Sequence, residues 1–146
     1  MLFRAMARIL AIDYGTKRAG LAVTDPGQMI ASALATIHPK DLLKYLKDYL
    51  AREEVECVVV GEPKTLKNEV TDATRHIEGF IRLLRKELPE LKIERMDERF
   101  TSSMAQRTLL DSGLKKKDRQ NKELLDQVSA TIILQSYLDS RQWKQK

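Results

Sequence analysis

The chain has 146 residues, with 26 Lys+Arg against 21 Asp+Glu, a formal charge of +5, and 42% apolar and 32% charged side chains. This suits one domain of the usual ~100–200 residues; it is too short for two substantial lobes and too apolar for a disordered tail. A single cysteine (Cys57) and two histidines exclude a disulfide scaffold, a zinc finger and a His-rich metal site, and no apolar run approaches the ~18 residues that span a bilayer.

Arg4 and Arg8 interrupt any apolar stretch at the start, so no secretory signal is expected, and Met6 is an alternative initiator to Met1. A reduced, cytoplasmic location follows as the expectation. Arg8 to Asp13 reads as a short buried strand ending on a carboxylate, with Gly15 supplying the turn. Ala19 to Thr24 reads as the returning strand, closed by Asp25-Pro26-Gly27, and residues 29–37 as a third extended segment. Three strands joined by tight turns imply an antiparallel meander.

The rhythm then changes. Leu42, Leu43, Leu46, Tyr49 and Leu50 recur at spacings of three and four, predicting an amphipathic helix over 41–53. Cys57 to Val60 is a β-branched run expected of a strand buried on both faces. A polar loop over 64–69 leads to a second helix from Val70 to Leu88, stopped by Pro89. A strand over 91–96 follows. Thr101-Ser-Ser103 offers N-cap hydroxyls for a helix to Leu110, and the last helix runs from Lys122 to about Ser140. The order β-β-β-α-β-α-β-α-α predicts one mixed five-stranded α/β sheet, a meander plus two parallel strands, with helices on both faces. No repeat or linker divides the chain, so residues 1–146 read as a single domain with 1–5 and 141–146 peripheral.

Three carboxylates stand apart from the solvated helix faces. Asp13 ends the first strand, where ligands gather in α/β sheets; a turn-forming Asp before a glycine explains it equally well. Asp97 and Glu98 leave a later strand on opposite faces, and composition does not choose between them; pairing with Arg95 or Arg99 is the plainer account of either. Asp126 heads an apolar helix row of Ala130, Ile133 and Tyr137. An unpaired buried carboxylate is costly there, which favours a site holding cations over a dipole effect at the helix start. If the three converge, unit charges ~4 Å apart repel by about 4 kcal/mol per pair at an effective dielectric of 20. Protons or divalent cations must then fill the gap, and an all-oxygen donor set suits Mg²⁺ or Mn²⁺, in a pair if the site acts on a phosphodiester.

Ile12-Asp-Tyr-Gly-Thr-Lys-Arg18, Val59-Val-Gly-Glu-Pro63, Asp97-Glu-Arg-Phe-Thr101, Leu125-Asp-Gln-Val-Ser-Ala130 and Ile133-Leu-Gln-Ser-Tyr-Leu138 together resemble the YqgF/RuvX family over about residues 8–138. These are small bacterial proteins with an RNase H-like fold, described as Holliday junction resolvases and as nucleases that process the precursor of small-subunit ribosomal RNA. The resemblance implies a metal-dependent hydrolase of phosphodiester bonds acting in 5'-end processing of pre-16S rRNA. The alternative is a resolvase of branched DNA. It implies Asp13, Glu98 and Asp126 as catalytic residues and metal ligands, resolving the 97/98 choice, and Lys17, Arg18 and Arg99 as basic positions near substrate. Two positions depart from the family pattern: Glu62, where relatives often carry an apolar residue, and Ser129, often alanine.

Lys115, Lys116, Lys117, Arg119 and Lys122 against Asp118 concentrate positive charge just before the Asp126 helix. A charge run is usually a solvated loop; this one is placed to guide a phosphate backbone to the carboxylates. Aromatics are only 5% of residues, so recognition is expected to rest on backbone charge and shape. Trp143 reads as packing at a helix end and Cys57 as a small core residue. A precursor RNA or branched DNA, and ribosomal particles, are the expected partners, with no membrane and a monomer or weak homodimer. A binding module without catalysis would use the same basic stretch. An actin-like nucleotide-binding lobe would use a similar first hairpin, but closing over a nucleotide takes two such lobes.

Overall fold

The computed structural model describes residues 7–62, 72–97 and 122–144. Along the chain come β1 (Arg8–Tyr14), β2 (Ala19–Thr24), β3 (Ala31–Ile37), α1 (Pro39–Arg52), β4 (Val55–Glu62), α2 (Asp72–Glu87), β5 (Lys92–Asp97) and α3 (Lys122–Lys144). They build the expected five-stranded mixed sheet, in the order β3-β2-β1-β4-β5. β1, β2 and β3 form an antiparallel meander, while β4 runs parallel to β1 and β5 parallel to β4. The carboxyl ends of β1, β4 and β5 therefore share one sheet edge. The helix expected over 101–110 and the polar loop over 64–69 lie outside the described residues.

Strand alternation divides the core into two layers. Leu10, Ile12, Leu21, Val58 and Val60 face α1 and α2, packing on Leu42, Leu46, Ile77, Ile81 and Leu84. Ile9, Ala11, Ala22, Cys57 and Val59 face α3 and meet Ala130, Ile133, Leu134 and Leu138. Cys57 is thus the core residue its strand predicts, fully buried, with Sγ 3.8 Å from the Tyr137 hydroxyl. Burial in this apolar layer pushes its thiol up.

Three of the boundaries that differ from the sequence expectation have a local reason. β3 begins at Ala31 rather than Met29 because the Asp25 carboxylate claims the preceding amides. Its Oδ1 accepts from Met29 N (2.9 Å) and Ile30 N (2.8 Å), and its Oδ2 from Gly27 N (3.1 Å). Gln28 turns the chain there with φ 59°. α1 starts two residues early, since Pro39 needs no amide partner in the first turn and His38 Nδ1 caps Lys40 N at 3.2 Å. α3 continues past Ser140 to Lys144. Arg141 is accordingly not peripheral: it donates to Gln28 Oε1 at 3.0 Å and lies 3.5 Å from Glu56.

The amides around Asp25 hold its carboxyl below the usual 3.8. A carboxyl with a lower folded pKa adds stability above its unfolded pKa, and that contribution is lost as pH falls through the folded value. Asp25→Asn should therefore unfold at a lower temperature than the parent above pH about 5, and the gap should close as the pH drops below about 4. Thermal melts across that range check it.

Candidate active site

The site is built at the carboxyl edge of the sheet, on its α3 side. Asp13 has the same parity as Ile9 and Ala11, which face α3, so alternation turns its half-buried side chain towards that helix. The adjacent Tyr14 goes the other way and stacks on Phe80 of α2, with ring centroids 4.9 Å apart. Burial raises the Tyr14 phenol.

Between β1 and β2 the chain reverses over Gly15 to Arg18. A side chain at 15 would lie 2.6 Å from the Arg18 carbonyl oxygen, so the turn closes only around glycine. It returns Ala19 and Gly20 opposite Tyr14 and Asp13 in the ladder. Facing residues in such a pair have Cα atoms about 4.5–5.5 Å apart.

Gly20 is the contact that brings α3 in. A Cβ there would fall 2.1 Å from the carbonyl oxygen of Asp126 and 2.9 Å from its Cβ. The helix backbone lies directly on this strand position. Asp13 is thus one strand spacing from the residue that touches Asp126, so two carboxylates 113 positions apart in sequence share one corner. The apolar row expected beneath Asp126 is present, with Ala130 and Ile133 buried and Tyr137 half-buried.

Arg18 closes the corner. Its Nε donates to Asp126 Oδ2 at 2.8 Å, both side chains being partly exposed. That bond engages one carboxylate oxygen and offsets the repulsion between the two aspartates. Gln127, the next residue of α3, donates to Thr36 Oγ1 of β3 at 3.1 Å and fixes the helix start against the meander. Lys17 sits exposed on the hairpin. Glu98, Arg99, Lys115, Lys116, Lys117, Arg119 and Lys122's side chain lie outside the described residues; β5, which leads to Glu98, ends at the same edge. Among the described residues no group of three His, Cys, Asp or Glu is arranged to hold a metal.

Glu62, the departure flagged in the sequence, ends β4 on the opposite face and forms an ion pair with Arg95, which also binds Glu78 of α2. The Arg95 hydrogen bond holds Glu78 below the usual carboxylate range. The Glu62 charge is therefore matched. A groove of about 410 Å³ lies at the far end of β4, lined by Glu53, Glu54, Glu87 and Glu90 over an apolar floor that includes Val55 and Leu91. Its acidic rim repels phosphate and it does not touch Asp13 or Asp126.

Comparison with known proteins agrees with this architecture. The sequence model of the RuvX family, described as Holliday junction resolvase, matches residues 7–140. This chain belongs to the RuvX family. A protein of Bacteroides thetaiotaomicron named "Putative pre-16S rRNA nuclease" is 53% identical over 94% of this chain and 100% of its own length. A Flavobacterium psychrophilum protein of the same name is 54% identical over 91% of this chain and 97% of its own. The structure of Thermus thermophilus RuvC in complex with a Holliday junction substrate superposes with a TM-score of 0.58 at 17% identity, covering 94% of this chain and 96% of that one. The fold is RNase H-like.

Sequence reasoning passed over Gly20, although a glycine inside a strand is itself a sign of close backbone approach. Gly20→Ala should destabilise by at least about 1–3 kcal/mol, as an overpacked site whose neighbour is backbone does. Gly79→Ala, in mid α2 with nothing within 4 Å of the new Cβ, should stabilise by about 0.5–1 kcal/mol. Chemical denaturation of both variants measures the contrast.

Proposed function

We propose that this protein is a divalent-metal-dependent nuclease that hydrolyses phosphodiester bonds in the 5'-end processing of pre-16S rRNA. The observation that supports the reading is the corner at Gly20, where α3 rests on the strand position opposite Asp13 through the backbone of Asp126 in a RuvX-family chain. The full-length relatives named for that precursor support the substrate.

Asp13 and Asp126 present hard oxygen donors, without cysteine or histidine beside them, which fits Mg²⁺ or Mn²⁺ in preference to zinc. Glu98 is the third ligand in this reading, as the resemblance to the RuvX family implies. When bound, one or two such ions supply positive charge to the phosphoryl oxygens and acidify the attacking water.

The chain's own residues do the rest. Arg18 holds Asp126 in one orientation, Lys17 lies on the hairpin beside it, and Arg99 with Lys115, Lys116, Lys117 and Arg119 draws the phosphate backbone in. With few aromatics to stack bases, binding follows backbone charge and shape. Branched DNA is the second reading, favoured by the family's description and tested in the same assay. Ribosomal particles are the expected setting, and the protein works in the cytoplasm; among the described residues no helix is long and apolar enough to cross a membrane.

Asp13→Asn should lower cleavage of a pre-16S rRNA fragment by at least about a hundredfold while thermal stability and RNA affinity stay near parental values. Chelation should stop cleavage and leave binding in place. The same fragment, a single-stranded RNA and a four-way DNA junction are compared with Mg²⁺ and Mn²⁺. Parental rates from the Asp13 variant would remove the assignment, and cleavage of the junction alone would select the resolvase.

A further inference from the structure

β3 ends at the same edge of the sheet as β1. Asp13 faces Gly20 across one ladder and Gly20 faces Thr36 across the next, so the three stand on one rung. At about 4.8 Å per strand, Thr36 lies about 10 Å from Asp13. Just beyond it the chain turns through His38 into α1. A cavity of about 450 Å³ opens between the end of β3 and the first turns of that helix, within the ~300–1,000 Å³ of most ligand sites. Thr36 bonds Gln127 on the α3 side, while Ile37 packs in the α1 layer, and both line the cavity. It therefore sits at the end of the sheet, where the two faces meet.

The lining is chemically mixed. Asp41, Tyr45 and Asp48 follow the 4-3 spacing of one helix row, with His38 and Lys44 beside them. A solvated face is the ordinary account of each charge alone, and the helix dipole favours Asp41 in the first turn. Yet among the described residues neither carboxylate is ion-paired, and Arg52 takes the carbonyl of Asp48 instead of its side chain. Tyr45 is half-buried and steadied by Tyr49, with ring centroids 6.4 Å apart and planes at 16°. His38 Nδ1 accepts from Lys40 N, so the neutral imidazole carries its proton on Nε2 and is a donor there.

Two carboxylates turn a phosphate away but admit an uncharged base. A carboxylate only accepts, and it takes two N–H groups side by side. Of the four RNA bases, guanine alone carries two adjacent donors on its pairing edge, N1–H and N2–H, while its O6 and N7 accept. Adenine, cytosine and uracil each offer one donor position there. We infer that this cavity takes an unpaired guanine base of the substrate strand, within about three nucleotides of the scissile bond at ~3.4 Å each. The inference deepens the nuclease reading and rests on it for the polynucleotide. Backbone charge and shape hold the strand, and the cavity adds one position where a base is read. The Asp41–Asp48 row accepts N1–H and N2–H, Tyr45 carries the face of the base, and His38 and Lys44 are the donors to O6 and N7.

The test compares, with metal chelated, a uridine octamer carrying one guanosine with octamers carrying inosine, adenosine or cytidine at the same place. The guanosine octamer should bind about tenfold tighter than the others. That ratio should hold from low to moderate salt, because every octamer has the same phosphates. The double variant Asp41→Asn, Asp48→Asn should erase the ratio, yet bind plain octauridine at least as tightly as the parent, two negative charges having gone. Tyr45→Leu should lose about fivefold or more of the guanosine affinity, with thermal melts to show that both variants fold. Equal affinity of the parent for all the octamers overturns the pocket, as does a guanosine preference that survives the double variant. Guanosine monophosphate binding more tightly than the guanosine octamer also overturns it, by making the cavity a free-nucleotide site. With Mg²⁺ or Mn²⁺ restored, a guanosine preference without cleavage of the pre-16S rRNA fragment overturns the nuclease reading alone. Cleavage of that fragment without any guanosine preference overturns the pocket alone.

Discussion

A strand position without a side chain lets a helix backbone rest on the sheet, and the corner of this molecule depends on that contact. With the Asp126 carbonyl oxygen 2.1 Å from where a Cβ on Gly20 would stand, no other residue admits α3 to this depth. The approach joins three things that the sequence keeps apart: the end of β1, the hairpin that returns Arg18, and the first turns of the last helix. Tight packing transmits small displacements, so a helix pushed outward here carries Asp126 away from Asp13 and stretches its bond to Arg18. The apolar row of Ala130, Ile133 and Leu134 holds the helix down; Gly20 sets how far down it goes.

Charge is arranged around that corner in matched sets. Arg18 bonds Asp126 inside it, and Arg95 joins Glu62 and Glu78 on the other face of the same edge. Both are arginines, whose planar fork can serve more than one acceptor. A polyanion approaching the edge therefore meets Glu62 already paired. The same pairing draws Glu78 towards β5.

Much of this was legible because buried strands and amphipathic helices announce themselves by period. The meander, both parallel strands and α2 follow their apolar spacing to within a few residues. The Asp126 row was legible for the same reason, since a carboxylate heading Ala130 and Ile133 breaks a pattern. What escaped was set by long-range contact. Met29 and Ile30 look like strand residues, yet Asp25 captures their amides and leaves their side chains exposed. Arg141 extends α3 because Gln28 and Glu56 wait for it across the sheet. The Glu62–Arg95–Glu78 set needs the register of β4 on β5 before its members can be seen as neighbours.

Alternation gives the end of β1 a further property. Asp13 and Tyr14 are consecutive, yet one belongs to the α3 layer and the other stacks on Phe80 in the α2 layer. The backbone between them cannot twist without dragging a large ring out of its stack. The aim of the carboxylate is thus governed from behind, by an aromatic pair on the side of the sheet facing away from the corner. Phe80, on the opposite layer of the sheet, steadies the aspartate as a keel steadies a mast.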